Sequence, residues 1–86
     1  MELKNKMTVE IFGESYALKG DAEAELVREL AGIVDAQMRR VAQVNPRLPA
    51  AKLAVLAALN IAGEYKRLED DYRALIDMLK KEAARV

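Results

Sequence analysis

The chain opens with two short segments in which apolar and polar residues alternate. These segments cover residues 7–11 and 15–19. Alternation with a period of two is typical of a strand that buries one face. Two such segments in succession predict a β-hairpin, and its apolar face carries Met7, Val9, Ile11, Tyr16 and Leu18.

A two-residue turn is expected between the two strands. Gly13-Glu14 offers a glycine at the first central position, where a type II′ turn needs a positive φ. With this turn Ile11 faces Tyr16, and Phe12 lies on the face opposite the core. We expect Phe12 to pack against the long helix or a second subunit. The alternative is a binding contact that faces solvent.

A helical period follows the hairpin. Asp21 is a favourable N-cap, and acidic residues soon after it suit the positive end of the helix dipole. The helix is expected to end at Asn45-Pro46, because the residue before a proline avoids helical backbone angles. Apolar residues recur between these limits at steps of three and four, which predicts one buried stripe. The stripe comprises Val27, Leu30, Val34, Met38 and Val41, widened by Leu26, Ile33 and Val44.

One long helix is predicted from Pro49 to about Arg85, since Gly63 is the only helix breaker after Pro49. Residues 53–62 are apolar almost all round, and a helix of that kind must be covered on every side. A hairpin and one shorter helix offer too little surface for this. A partner subunit is therefore implied.

A heptad pattern occupies the second half of the long helix. Apolar residues follow one another at steps of four and three, with charged residues between them, and the register reaches Glu82 and Val86. About 26 residues at 1.5 Å each form a rod of roughly 39 Å, and no other part of the chain is left to cover it. We therefore predict self-association through a seam of Ala54, Ala58, Ile61, Tyr65, Leu68, Tyr72, Leu75 and Leu79.

Asn60 stands within the most apolar part of the long helix. A polar residue at a packed position can fix the register of an oligomer. We therefore count Asn60 among the oligomerisation residues, as a buried amide bonded to backbone or to its symmetry mate. The alternative is a direct contact with a different partner.

These elements together predict an α+β fold. An N-terminal β-hairpin and a short helix are followed by one long C-terminal helix that forms an intermolecular coiled coil. The head is expected to comprise residues 1–60, which include the start of the long helix. The coiled-coil extension is expected to comprise residues 61–86.

Composition argues against an enzyme. The chain contains no cysteine and no histidine. The usual base near neutral pH, the thiolate nucleophile and the commonest transition-metal ligands are therefore missing. Serine occurs once, at Ser15, with no histidine to activate it. We expect no catalysis, no cofactor and no bound metal.

Charge and hydropathy limit the partners. Basic and acidic residues number 14 each, so the formal net charge is zero and gives no overall attraction to nucleic acid or an anionic membrane. The N-terminus has no apolar run of the kind that a signal peptide needs. The longest apolar stretch, residues 53–63, is roughly half the ~20 residues of a membrane span. We expect a cytoplasmic protein without nucleic-acid or membrane partners.

Basic residues gather around the predicted elbow between the helices. They are either solvated charges with a few local ion pairs or a contact surface for an acidic partner. As a hypothesis, the partner-binding surface of the head comprises Glu14, Arg39, Arg40, Arg47 and Lys52.

Two motifs make the chain resemble the ZapA family of cell-division proteins. They are Val9-Glu10-Ile11-Phe12-Gly13 and, more specifically, Lys52-Leu53-Ala54-Val55-Leu56-Ala57-Ala58-Leu59-Asn60-Ile61-Ala62. The shared pattern covers about residues 7–68, and the chain length is similar to that of the shorter form of the family.

The resemblance implies a bacterial cytoplasmic protein that acts at mid-cell in septation. It implies binding to FtsZ, the tubulin-like division GTPase, and lateral association of FtsZ filaments in the Z-ring. It also implies a homodimer formed by the heads and long helices, and a homotetramer formed through the coiled coils. The rival interpretation from the residues is a structural coiled-coil scaffold with a different client. A nucleic-acid-associated protein is a third, disfavoured by the zero net charge.

Overall fold

The computed structural model describes residues 5–84 of the chain. Arg85 and Val86, at the end of the predicted coiled-coil extension, lie outside the described residues. Four elements follow in chain order: β1, Asn5–Ile11; β2, Glu14–Gly20; α1, Ala24–Val44; and α2, Ala50–Ala84. The predicted order of hairpin, shorter helix and long helix is confirmed.

The two strands pair antiparallel around a two-residue turn that differs from the predicted one. The turn consists of Phe12 and Gly13, and Ile11 pairs with Glu14. The predicted pairing of Ile11 with Tyr16 is therefore wrong by two residues. A register shift of two residues returns each side chain to its original face, so the apolar face is the one expected.

Phe12 accounts for the difference. The φ angles are 51° at Phe12 and 82° at Gly13, and two positive values are the pattern of a type I′ turn. For a residue other than glycine such a conformation costs about 1–2 kcal/mol, and an alternating strand pattern does not reveal it. Phe12 therefore lies in the turn and not on the outer face of the hairpin. It is half-buried against the core that both helices form, and its predicted contact with the long helix in particular, or with a second subunit, stays a prediction.

The start of α1 also differs from its prediction. The residue in the N-cap position is Glu23, whose side chain makes no capping hydrogen bond, so the assignment of Asp21 is wrong. β2 extends to Gly20, and the chain uses residues 21–23 to leave the sheet before the helix begins at Ala24.

The elbow between the helices, residues 45–49, follows its prediction. α1 ends before Asn45, whose backbone N–H donates to the carbonyl oxygen of Val41 over 2.9 Å. α2 begins directly after Pro49, whose carbonyl oxygen accepts the N–H of Leu53 at 3.1 Å. Proline suits this position because it supplies a carbonyl and has no N–H to satisfy.

The core lies where the C-terminal half of α1 packs on the first turns of α2. Met38 and Val41 of α1 meet Leu53 and Ala57 of α2, and none of the four is more than 7% exposed. β1 packs on α1 as well and buries Val9. The head is therefore held together by α1, which contacts both the hairpin and the long helix.

The predicted stripe of α1 is only partly buried. Met38 and Val41 are buried and Val27 and Val34 are half-buried, whereas Leu30 remains 49% exposed. The exposed members of the widened stripe are Leu26, Ile33 and Val44. The described part of a single chain therefore leaves much of this apolar face uncovered.

α2 is much longer than the core that it serves. Its 35 residues correspond to about 52 Å at 1.5 Å per residue, and the longest dimension of the molecule is 56 Å. Leu53 and Ala57 are its buried residues, while Val55 and Leu59 stay exposed in the same apolar stretch. The single chain thus leaves the first half of α2 only partly covered.

Gly63 lies inside α2, where glycine is unfavourable. No side chain and no atom of another described element lies within 4 Å of the place a Cβ would take. We expect Gly63→Ala to raise the free energy of unfolding by about 0.5–1 kcal/mol, measured by urea unfolding at a fixed protein concentration. A loss of stability would contradict this and would place a partner's backbone against Gly63.

Candidate self-association and partner-binding surfaces

An exposed apolar ridge follows α2 beyond the head. Tyr65, Leu68 and Tyr72 are each about two-thirds exposed (67%, 68% and 65%). The ridge continues through Leu75 and Leu79, which are more than half exposed. Towards the head it is joined by the half-buried Ile61 and the exposed Ala58 and Ala54. Within residues 5–84, every predicted seam residue beyond Ile61 presents an apolar side chain to solvent.

Charged side chains flank the ridge and pair within the helix. Lys66 Nζ lies 3.1 Å from Asp70 Oδ1 and 3.7 Å from Glu69 Oε1. Arg73 reaches the other oxygen of Glu69 at 3.6 Å. Pairs three and four residues apart each stabilise a helix by roughly 0.2–0.5 kcal/mol. They support the helix on its polar side and leave the apolar ridge unpaired.

The apolar surface widens near the C-terminal end of the described helix. Met78 is 62% exposed and Ile76 is half-buried. In the heptad these two positions lie on either side of the seam, where charged residues usually stand. The sequence prediction missed them because it followed only the central positions. An apolar residue at a flanking position was the signal that could have found them.

A second apolar surface lies in the head, between the hairpin and the first turns of α2. It is a groove of about 530 Å³, and Glu14 is the charged residue among those that line it. Alanines supply its α2 side, and their short side chains leave room for a neighbour. Ala54 belongs both to this head groove and to the seam. The lining residues are Val9, Ile11, Phe12, Glu14, Tyr16, Leu18, Val34, Met38, Ala50, Ala51 and Ala54.

Arg39 and Arg40 occupy different surroundings although they are neighbours in the chain. Arg39 lies beside β1, in a groove that it shares with Glu10 and Asp35. Arg40 lines another groove, between α1 and α2, together with Asn60. Successive residues of a helix point about 100° apart, so a basic pair in sequence need not form a patch.

The other three predicted contact residues are also separated. Glu14 lines the head groove, while Arg47 lies in the elbow and Lys52 in the first turn of α2. All five predicted partner-binding residues are exposed. The described structure therefore presents them to solvent but places Glu14, Arg39 and Arg40 along three different grooves.

Arg39 is held at the surface of the head by Asp35. Its Nε donates to Asp35 Oδ2 over 2.8 Å, and its guanidinium lies 5.9 Å from the centre of the Phe12 ring. The hydrogen bond from Arg39, with a second from the Phe12 backbone N–H, lowers the pKa of the Asp35 carboxyl below its usual value. The same carboxylate raises the pKa of Arg39.

Asn60 is not buried within the single chain. Its side chain is exposed and lines the groove that also contains Arg40 and Leu56. Burial of the amide therefore has to come from another molecule. Its predicted role in the register of an oligomer stays a prediction.

Two features are absent from the described residues. Between residues 5 and 84, no three His, Cys, Asp or Glu side chains come together in a way that could hold a metal ion. Neither helix of that range combines the length and hydropathy needed to cross a membrane.

Known proteins share both the sequence and this architecture. The family model for the cell-division protein ZapA matches residues 7–86. The chain belongs to the ZapA family. The resemblance carried by residues 9–13 and 52–62 is thus confirmed.

Individual relatives match over nearly their whole length. The cell-division protein ZapA of Geobacillus sp. (strain WCH70) is 40% identical over 79 residues, which cover 92% of this chain and 91% of the relative. The ZapA of Bacillus pumilus (strain SAFR-032) is 42% identical over 78 residues, covering 91% and 92%. The chain is therefore similar to cell-division proteins throughout its head and its long helix.

Solved structures share the fold. A ZapA mutant dimer from Geobacillus stearothermophilus superposes with a TM-score of 0.69 at 35% identity, covering 93% of each chain. An unknown conserved bacterial protein from Pseudomonas aeruginosa PAO1 gives a TM-score of 0.68 at 25% identity, covering 96% of this chain and 97% of that one. The arrangement of hairpin, α1 and long α2 is thus that of the ZapA family.

Proposed function

We propose that this chain is a cell-division accessory protein that binds FtsZ and promotes lateral association of FtsZ filaments. It acts without catalysis, as a homo-oligomer in the cytoplasm at the mid-cell division site. The observation that carries the proposal is the exposed apolar ridge of α2 in a member of the ZapA family. A protein that cross-links filaments needs more than one binding site, and the ridge supplies the means to join copies.

The ridge is best covered by a second copy of the same chain. Tyr65, Leu68 and Tyr72 lie at heptad positions, and side chains at such positions pack into the holes of a facing helix. A similar protein in the same family forms a dimer. Self-association would bury the side chains that a single chain leaves in water, at roughly 25 cal/mol for each Å² of apolar surface.

The head groove is expected to close in the same dimer. Ala54 lies in both the groove and the seam, so the two surfaces are continuous. In a parallel dimer both grooves would lie at the same end and face the two-fold axis. A two-fold contact brings the same patch of each subunit together. The exposed Tyr16 and Leu18 of the hairpin would then be covered by the partner's head.

We propose separate roles for the two parts of the chain. We assign partner binding to the head, residues 1–60, and spacing and assembly to residues 61–86. Each additional copy repeats the head surface, and two or more weak sites on one particle bind a polymer of identical subunits far more strongly than one. A helix of about 52 Å makes such a particle long enough to hold neighbouring filaments apart.

Sedimentation of purified bacterial FtsZ with GTP tests the proposal. The added protein should increase the pelleted fraction of FtsZ, and light scattering should rise as bundles form. No change in either signal, from a protein shown to be folded and oligomeric, would reject FtsZ as the partner. The chain would then be a coiled-coil scaffold with another client.

The FtsZ-contacting surface is proposed to comprise Arg40, Arg47 and Lys52, whereas Glu14 lines the head groove and is assigned to the contact between copies. All four are exposed, and among the described residues none of them forms an ion pair. Arg39 is set apart because it already bonds to Asp35 within the head. An acidic filament surface would attract the three basic residues at short range.

Charge reversal tests this surface. Replacing Arg40, Arg47 and Lys52 together by glutamate should lower FtsZ co-sedimentation at least tenfold in apparent affinity, because attractive pairs become repulsive. The mass of the assembly should stay the same. A control variant with Arg67, Lys80 and Lys81 changed to glutamate reverses as much charge away from the head. Equal binding by the head variant and the wild type would exclude these residues as contacts.

A further inference from the structure

One carboxylate joins the hairpin turn to α1. Asp35 Oδ1 accepts the backbone N–H of Phe12 over 2.7 Å, across 23 residues of sequence. Asp35 Oδ2 accepts the Nε of Arg39 over 2.8 Å. The Arg39 guanidinium in turn lies 5.9 Å from the centre of the Phe12 ring, a cation–π distance. The three residues form a closed set of contacts, which we call the turn latch.

The turn needs such support. Phe12 has a φ of 51°, a left-handed conformation that residues with a Cβ rarely adopt. In a two-residue turn its N–H points away from the strand ladder and has no backbone partner among the hydrogen bonds of the hairpin. Asp35 supplies the acceptor. The carboxylate therefore satisfies a donor that this turn would otherwise leave to water.

The latch also sets the position of a binding surface. Phe12 and its neighbour Ile11 line the head groove, and Glu14 follows directly after the turn. A turn released from α1 would move these three residues together, because they belong to one tight hairpin end. Asp35 does not line that groove itself, so any effect it has there passes through Phe12.

We propose that Asp35 is a positioning residue: it holds the Phe12–Gly13 turn against α1 and thereby shapes the head groove through which copies of this chain associate. Arg39 acts through Asp35 by fixing the carboxylate and covering the Phe12 ring. The second half of this proposal rests on the proposed self-association through the head. The first half concerns the single chain and can be tested without FtsZ or assembly.

Hydrogen exchange at the Phe12 amide tests the latch directly. In ¹⁵N–¹H spectra of the full chain at neutral pH, Asp35→Ala should raise the exchange rate of this amide at least tenfold. Asp35→Asn retains an oxygen acceptor and should restore at least half of the lost protection. Asp70→Ala is the matched control, since it also removes an aspartate that pairs with a basic residue four positions away on a helix. It should leave Phe12 unchanged.

A pH titration distinguishes the latch from a general loss of stability. An amide that donates to a carboxylate changes its proton shift when the carboxylate is protonated. In the wild type the Phe12 shift should follow a titration below the usual aspartate range, since both hydrogen bonds favour the charged form. Asp35 lines the groove beside β1, and the other charged groups of that groove are Glu10, Arg28 and Arg39. The titration should vanish in Asp35→Asn and persist in Asp70→Asn.

Sedimentation equilibrium tests the effect on assembly. Asp35→Ala should weaken self-association at least threefold, Asp35→Asn should recover part of the loss, and Asp70→Ala should match the wild type. A Phe12 amide equally protected and equally pH-dependent without Asp35 would overturn the latch. Loss of the protection with unchanged self-association would overturn its role in the head groove. Neither readout depends on whether FtsZ is the partner.

Discussion

Replacing Leu68 and Leu75 together by glutamate should dissolve the predicted coiled coil and abolish the proposed bundling of FtsZ filaments. Both leucines lie at central heptad positions and are exposed in the single chain, at 68% and 52%. In a paired helix they would face a second copy, so each glutamate would bring an unpaired charge into an apolar seam. Burying such charges costs several kcal/mol each, which is more than a short seam can offset.

Analytical ultracentrifugation measures the mass of the assembly, which should fall by at least half in this variant. Filament co-sedimentation should show each head still binding, but scattering from bundles should be lost because one site cannot bridge two filaments. Arg67 and Ala74, each one position before a leucine, are exposed and provide the control when both are changed to glutamate. An unchanged mass for the leucine variant would show that copies join elsewhere.

The second large effect is a loss of folding stability when the core of the head is changed. Leu53 is 3% exposed and packs with Met38, Val41 and Ala57. Leu53→Ala should lower the free energy of unfolding by about 2–5 kcal/mol, since it removes buried methyl groups and leaves a cavity. Small domains have few kcal/mol to lose. Much of the variant should be unfolded near 37 °C.

Urea unfolding followed by circular dichroism measures the loss, with all variants at one protein concentration because oligomer stability depends on it. Val55→Ala, at a site that is 60% exposed in the single chain, should cost less than about 1 kcal/mol. A loss below 1 kcal/mol for Leu53→Ala would contradict the assignment of the core. A large loss at Val55 would instead show that another copy covers that face.

The proposed roles of the head and the rod make separate predictions for these variants. A seam variant keeps a folded head and loses valency, whereas a latch variant keeps the seam and loses the shape of the head groove. Charge reversal around the elbow leaves both intact and changes only the contact with FtsZ. The three classes of variant therefore separate assembly, head geometry and partner recognition by which measurement each one changes.

Periodicity predicted most of the local structure because each signal acts within a few residues. The alternation in residues 7–11 and 15–19 gave the hairpin. Proline geometry gave the elbow at residues 45–49. The heptad spacing gave the ridge from Ile61 onwards, and the structure leaves its residues from Tyr65 onwards exposed, as a seam requires.

Tertiary contacts explain where those local signals were insufficient. Gly13-Glu14 looked like the centre of a type II′ turn, yet the turn forms at Phe12 and Gly13, where Asp35 accepts the Phe12 N–H from 23 residues away. No short-range pattern contains that bond. The N-cap differed because the length of β2 decides where α1 can begin.

Sequence by itself determined the elements of this protein, its apolar faces and its family, since all three are properties of residue order. Only the tertiary structure decided which apolar residues the head buries and which basic residue forms an ion pair within the head. Leu30 belongs to the helical stripe but stays exposed, because α2 meets α1 near the elbow. Arg39 and Arg40 are adjacent in the chain, but their side chains point to different sides of α1. Asp35 bonds to Arg39, whereas Arg40 lines the groove between α1 and α2. Burial and pairing depend on which surfaces meet in three dimensions, and residue order does not state that.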